Sequence, residues 1–206
     1  MASRKPCQPM PTAADTVVRR LPVDVQRALA AQVRDVCRRA PLVRPRTPGG
    51  LAMRVKVSAA GRLGWVGDGV YRYDERDIRG RPWPQLPLLW SAIADDVAGR
   101  YPWDSAIVNW YDPGAALGWH VDAAERDTTL PIVTISLGDA ASWAVRADER
   151  QPITRCVLES GDVTLLAGPT RRYRHTIERI IPNPLLSPLM GRGRISITLR
   201  VAGPPR

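Results

Sequence analysis

Two histidines occur in the 206-residue chain, His120 and His175, and both stand in runs that could hold a metal. His120 lies in Gly118-Trp119-His120-Val121-Asp122 and His175 in Arg171-Arg172-Tyr173-Arg174-His175-Thr176-Ile177. A His-x-Asp pair followed by a distant His is the sequence form of the 2-His-1-carboxylate facial triad, which binds non-haem Fe(II) and leaves positions open for a co-substrate and oxygen. In an extended strand side chains alternate between faces, so His120 and Asp122 point one way and Val121 the other. Neutral imidazoles with one carboxylate suit a hard-to-borderline divalent ion rather than a thiolate-seeking one. So short a pattern arises by chance in many chains; taken alone it fits a solvated turn histidine beside an N-cap aspartate at least as well.

A second chemical element lies downstream. In Arg194-Ile195-Ser196-Ile197-Thr198-Leu199-Arg200 polar and apolar residues alternate, which places Arg194, Ser196, Thr198 and Arg200 on one face of a strand. Arginines inside a sheet are costly to bury unless each meets a carboxylate. Their planar forks match the two carboxylates of a small dicarboxylic acid. Without the triad, an edge strand with solvated arginines explains the run equally well.

Together these elements resemble the AlkB family of Fe(II)- and 2-oxoglutarate-dependent nucleic-acid dealkylases. The resemblance runs in order through Thr47-Pro48-Gly49-Gly50, Leu63-Gly64-Trp65, Pro82-Trp83-Pro84, Asn109-Trp110-Tyr111-Asp112-Pro113-Gly114, His120-Val121-Asp122, Pro131 to Gly138, Gly161-Asp162-Val163, His175-Thr176-Ile177 and the Arg194 to Arg200 strand. It covers Pro48 to Gly203. The order of the Asn-x-Tyr-x-Pro-Gly, His-x-Asp and Arg-x-Ser-x-Thr-x-Arg elements is specific in combination.

What the resemblance implies is a mainly β chain with flanking α: a double-stranded β-helix (jelly roll) core, N-terminal helices and a β-hairpin nucleotide-recognition lid. His120, Asp122 and His175 would hold Fe(II) and form the catalytic centre. Asn109, Tyr111, Arg194, Ser196 and Arg200 would bind 2-oxoglutarate, its keto-acid end near Arg200 and its far carboxylate on Arg194. Oxidative decarboxylation of 2-oxoglutarate by O2 would yield succinate and carbon dioxide. Hydroxylation of an N-methyl group on DNA and/or RNA (1-methyladenine, 3-methylcytosine type) would release formaldehyde. A base must leave its stack to reach such a metal, so a single-stranded or flipped base is implied. Trp65 would stack on it opposite His120, with Met53, Tyr71, Tyr73 and Arg171 as further substrate contacts, the two tyrosines at the phosphate backbone. The sequence departs from a family member at Ala124, where that member carries an aspartate against the exocyclic amine of the base; the nearest acid here is Glu125. An oxygenase acting on modified tRNA or on a non-nucleic-acid substrate is the alternative. A non-catalytic nucleic-acid-binding module is the third reading, and the complete triad with both arginines speaks against it.

The elements that must position these residues are marked by punctuation. Apolar positions at Val25, Leu29, Val33, Val36 and Cys37 predict a helix over 23–39, between Pro22 and Pro41. From Leu51 to Tyr73 short alternating stretches broken by glycines predict hairpins, with Leu51, Met53, Val55 and Val57 on one face and Trp65 poorly supported between glycines. A second helix is predicted over Leu88 to Arg100, then short antiparallel strands, with a long loop over Pro182 to Gly193. This divides one catalytic domain, 1–206, into an N-terminal helical segment (1–46), a substrate-recognition lid (47–84) and a helix plus jelly-roll core (85–206).

Composition sets the remaining bounds. With 44% apolar residues the chain can bury one core. No apolar run approaches the ~18 residues of a spanning helix, and Met1 to Cys7 lacks the apolar stretch of a secretory signal; a soluble, cytoplasmic monomer with no membrane partner is the expectation. Cys7, Cys37 and Cys156 share no metal-like spacing and read as reduced thiols. The net charge of +10 suits a polyanion. Only Lys5 and Lys56 of the 30 basic residues are lysine; base composition can exchange lysine for arginine, but it does not add charge. The clusters Arg38-Arg39, Arg44, Arg46; Arg76, Arg79, Arg81; and Arg171-Arg172, Arg174 are predicted to track phosphates.

Overall fold

The computed structural model of the chain describes residues 11–182 and 192–203. In chain order the elements are β1 (Val17–Arg20), α1 (Val23–Arg39), β2 (Val55–Gly61), β3 (Gly64–Gly67), β4 (Tyr71–Asp74), α2 (Leu88–Ala98), β5 (Ser105–Tyr111), β6 (Leu117–His120), β7 (Ile132–Gly138), β8 (Ala140–Arg146), β9 (Thr154–Leu158), β10 (Asp162–Leu166), β11 (Arg174–Ile181) and β12 (Arg194–Arg200). An antiparallel six-stranded sheet, β1-β10-β7-β12-β5-β2, faces a four-stranded sheet, β6-β11-β8-β9, and β3 with β4 forms a separate hairpin. This is the jelly roll with its flanking helices, mainly β as the sequence resemblance implies.

The alternation in β12 explains how the larger sheet serves two cores. Its odd-numbered residues Ile195, Ile197 and Leu199 join Leu29, Val33 and Trp90 of the helices in one apolar cluster. Its even-numbered residues, Arg194, Ser196, Thr198 and Arg200, face the space between the sheets with His175 of β11. A one-residue slip would exchange the two sets, so burial of both faces pins the register, here Ser196 opposite Asn109 on β5 and Ser136 on β7.

Both predicted helices are present. α1 keeps the predicted bounds, with Leu29, Ala30, Val33 and Val36 buried. Its inward stripe includes Gln26 as well as Val25, which packs against the core; the Gln26 amide donates to Leu21 O at 2.8 Å and accepts from Ser160 Oγ at 2.7 Å. α2 stops at Ala98, two residues earlier than predicted, where Gly99 at φ +88° turns the chain.

The segment predicted as hairpins, Leu51 to Tyr73, divides between the larger sheet and a separate hairpin. β2 pairs with β5 from Val55↔Tyr111 to Gly61↔Ser105, and Val55, Val57, Ser58, Ala59 and Ala60 are all buried. A strand buried on both faces belongs to the sandwich, so only the β3–β4 hairpin, Gly64 to Asp74, stands apart. Leu51, placed by alternation on the face of Val55, is exposed. Of the long loop predicted over Pro182 to Gly193, residues 183–191 lie outside the described residues, as does Cys7. No helix among the described residues is long and apolar enough to cross a membrane.

Candidate active site

β6 and β11 bring the two histidines together: His120 pairs with His175 across the strands, with ring centroids 4.2 Å apart. Each ring is oriented by its own backbone. His120 Nδ1 donates to Gly118 O at 2.8 Å and His175 Nδ1 to Tyr173 O at 3.1 Å. A carbonyl only accepts, so the proton sits on Nδ1 and each Nε2 lone pair is left for a metal. Asp122 faces both: Oδ1 is 3.8 Å from His120 Nε2 and Oδ2 is 3.6 Å from His175 Nε2. Facial ligands of one octahedral ion stand about 3 Å apart, and modest side-chain rotation closes the difference. The donor set of the three residues lies within 4.8 Å, which fits a 2-His-1-carboxylate iron site.

Asp122 reaches this position by a route the strand argument missed. β6 ends at His120; the following segment is held by Arg171, whose Nη1 donates to Asp122 O at 2.7 Å and whose Nε donates to Leu130 O at 2.6 Å. Arg171 is 2% exposed and its Nη2 contacts Glu125 at 3.1 Å. Its expected place as a substrate contact is therefore corrected: the side chain is consumed internally and positions the metal-ligand segment.

Glu125 is the hub of this network. It accepts from the Tyr73 hydroxyl at 2.9 Å, from Arg171, and from Arg200 Nη1. Arg200 Nη2 lies 2.9 Å from Asp122 Oδ1. Burial opposes ionisation of Asp122, but the Arg200 guanidinium and the two imidazoles outweigh it and hold the carboxyl well below the usual range. Burial draws His175 down to about 4, keeping it neutral and metal-ready. Two consequences follow from this arrangement. Glu125 cannot stand in for the aspartate replaced by Ala124, since both its oxygens are engaged. Tyr73 is 8% exposed, with burial pushing its hydroxyl well above the usual range, so it ties the hairpin to Glu125 rather than meeting a phosphate backbone.

Two cavities meet at the triad. The inner one, about 60 Å³, lies between the sheets and is bounded by His120, Asp122 and His175 at one side and by Asn109, Tyr111 and Arg194 at another. At ~10–15 Å³ per water-sized sphere it holds a handful of small groups. Arg194 is 1% exposed and donates to Ser136 Oγ at 2.7 Å, Asp139 O at 3.3 Å and Leu158 O at 3.4 Å. Among the described residues its Nε has no partner and it meets no carboxylate, and burial lowers its pKa to about 10. A buried guanidinium with an orphaned donor fits a ligand carboxylate. Ser196 Oγ accepts from Asn109 Nδ2 at 3.4 Å, and Tyr111 lines the cavity with them, completing a polar wall around that guanidinium. The orphaned Nε of Arg200 faces the same region.

The outer cavity is about 1160 Å³ and is lined by Met53, Trp65, Tyr71, Tyr73, His120 and Asp122, among others. Trp65 is not the loosely held ring that its flanking glycines imply. It leans on Tyr71 at 5.0 Å between centroids, and a Cβ at Gly67 would lie 2.7 Å from its ring, so that glycine lets the indole lie against the hairpin.

Residues 17–200 match the 2OG-Fe(II) oxygenase superfamily. The chain is 41% identical over 189 residues to an alpha-ketoglutarate-dependent dioxygenase AlkB homolog of Caulobacter vibrioides, covering 88% of this chain and 84% of that protein. It is 35% identical over 195 residues to alpha-ketoglutarate-dependent dioxygenase AlkB of Salmonella typhimurium, covering 90% and 89%. The solved structure of OsALKBH1 superposes with a TM-score of 0.78 at 22% identity, covering 89% of this chain and 94% of that one. The chain belongs to the AlkB family of 2OG-Fe(II) oxygenases. It is an Fe(II)/2-oxoglutarate-dependent dioxygenase, and Fe(II) and 2-oxoglutarate are its cofactors.

Sequence reasoning missed four members of the site. Glu125 and Ser136 brace the two strand arginines, Asp139 O accepts from Arg194, and the Trp143 ring packs 4.8 Å from the His175 ring. The available signal was arithmetic: buried arginines at two positions require buried acceptors, and Glu125 is the acid that follows the triad most closely.

Proposed function

We propose that the chain removes N-alkyl groups from bases of DNA and/or RNA, with His120, Asp122 and His175 as iron ligands and the inner cavity as the 2-oxoglutarate site. One observation carries the reading: the triad sits where a small, cationic inner cavity meets a much larger outer one walled by Trp65, with room for a base and its neighbours. Iron and 2-oxoglutarate together supply the oxidation by O2 that turns an N-methyl into an N-hydroxymethyl group, which then parts into formaldehyde and the restored base.

The chain's own residues bind and orient. Arg194 takes the far carboxylate of 2-oxoglutarate, with Asn109, Tyr111 and Ser196 shaping the wall beside it. Arg200 braces Asp122 and lies near the keto-acid end. Trp65 stacks on the base, Met53 and Tyr71 complete the wall, and Tyr73 with Arg171 fixes the geometry through Glu125. Positioning and shielding of this kind are the protein's part in cofactor chemistry. The described residues act as one catalytic domain of a monomeric, cytoplasmic enzyme, supported by exposed apolar side chains that are mostly scattered singly.

Ala124 favours a second reading. A cationic base such as 3-methylcytosine gains from a nearby carboxylate, and with Glu125 fully engaged the wall at Ala124 is apolar; a modified tRNA base without that charge fits it as well. A panel of methylated DNA and RNA oligonucleotides incubated with iron, 2-oxoglutarate and ascorbate, read by mass spectrometry, tests both. Loss of methyl from 1-methyladenine or 3-methylcytosine supports the first reading. Turnover of tRNA modifications alone selects the second, and no methyl loss from any nucleic acid refutes both.

A further inference from the structure

Arginines that face the outer cavity divide by whether they are already paired. Arg72 is bonded to Asp68 and Asp74, Arg76 donates to Gly80 O, and Arg200 is held by Asp122 and Glu125. Arg54 and Arg126 also line the cavity and are exposed, and among the described residues neither guanidinium has a hydrogen bond or ion pair. A guanidinium without an internal partner keeps all five donors for an external anion.

The strand register places the two far apart. Arg54 precedes Val55, which pairs with Tyr111 at one end of β5. Arg126 N donates to Ala202 O at 3.2 Å, two residues beyond Arg200, which pairs with Ser105 at the other end of β5. The length of β5 separates their backbones, about 20 Å at ~3.3 Å per residue. Trp65, Tyr71 and His120 line the cavity along with them.

We propose that Arg54 and Arg126 are phosphate contacts on opposite sides of the flipped nucleotide, so that the preferred substrate is one polynucleotide strand long enough to reach both. At the ~3.4 Å rise per nucleotide of a stacked strand, that span is on the order of six nucleotides. The inference rests on the dealkylase reading and adds to it a length requirement that is indifferent to sequence, since phosphate contacts position without reading bases.

The test uses trimer, hexamer and dodecamer oligonucleotides with a central 1-methyladenine, as DNA and as RNA. Binding to the full chain is followed by fluorescence anisotropy and repair by formaldehyde release. Wild-type affinity should rise from trimer to dodecamer. Arg54→Ala and Arg126→Ala should each weaken dodecamer binding roughly twofold to fivefold, the scale of an exposed charge pair, and lower the log-log salt slope by about 0.7. Arg27→Ala, on an exposed position of α1, removes the same charge and should retain the length gain. Equal affinity for trimer and dodecamer, an intact length gain in the double variant, or an equal loss in Arg27→Ala overturns the phosphate contacts. Formaldehyde from the trimer without any length gain defeats only this inference, whereas no formaldehyde at any length defeats the dealkylase reading beneath it. A gain with DNA but not RNA, or the reverse, supports the contacts and identifies the polymer.

Discussion

Replacing Arg194 by methionine separates what that side chain does for the fold from what it does for the co-substrate. Burial draws its pKa from 12.5 to about 10, which at ~1.4 kcal/mol per unit disfavours the charged form by about 3 kcal/mol. Methionine relieves that cost but strands the Ser136 hydroxyl, a penalty of about 1–3 kcal/mol, and gives up only the longer contacts to the carbonyls of Asp139 and Leu158 at 3.3 and 3.4 Å. The two effects cancel to within about 2 kcal/mol, and the co-substrate-free variant should melt within about 8 °C of wild type, where 1 kcal/mol shifts a chain of this size by ~2–4 °C. Binding should behave differently. Losing the partner of a buried carboxylate costs about 3–5 kcal/mol, and at ~1.4 kcal/mol per decade the 2-oxoglutarate requirement should rise by roughly two to four decades. Thermal melts of the Mn(II)-loaded proteins with and without 2-oxoglutarate, together with carbon dioxide release against 2-oxoglutarate concentration, read both quantities. An unchanged Michaelis constant would show that Arg194 does not meet the co-substrate. A fall of more than about 8 °C in the co-substrate-free melt would show that its charge is compensated within the protein after all.

His120→Ala, Asp122→Ala and His175→Ala should each abolish 2-oxoglutarate turnover, since a three-residue site has no spare protein donor; full turnover in any one would remove that residue from the metal. Trp65→Ala should weaken binding of a methylated oligonucleotide by about 1–3 kcal/mol, the value of one base-aromatic stack, while uncoupled decarboxylation of 2-oxoglutarate persists. Intact repair in that variant would show that the hairpin is not a base clamp. Glu125→Gln keeps the shape but removes the charge between Arg171 and Arg200, so urea unfolding should report a loss of about 3–5 kcal/mol, and a change under 0.5 kcal/mol would show that the two arginines find other anions.

Where local pattern and burial agree, the fold was legible. α1 sits between two prolines with a helical stripe, and β12 alternates without interruption; both have the predicted bounds. β2 was misread because Ser58-Ala59-Ala60 carries no alternation. A strand buried on both faces against β5 and α1 needs small or apolar residues throughout, and periodicity cannot tell it from a loop-flanked hairpin. The triad was legible as a set of ligands but not as geometry: the His-x-Asp spacing implied one continuous strand, whereas Asp122 is delivered by a segment tied to Arg171, a contact spanning 49 positions that no local pattern encodes.

The arginine clusters show most plainly why sequence charge is not surface charge. Runs expected to track phosphates are largely spent inside the molecule: Arg38 and Arg39 on Asp35, Arg44 on Asp112, Arg81 on Asp77, Arg171 on Glu125, Arg174 on Glu149. Clustering in sequence reports only how many charges are near one another, while an external anion responds to those left without a partner and facing its path. Exposed pairs contribute on the order of 0–1 kcal/mol each, so they hold little of the fold, yet each cancels a charge that a phosphate would otherwise feel. The 30 basic side chains therefore resolve into a smaller set of effective positions, and under the proposed phosphate contacts Arg54 and Arg126, unpaired among the described residues at the outer cavity, count for more than the paired clusters.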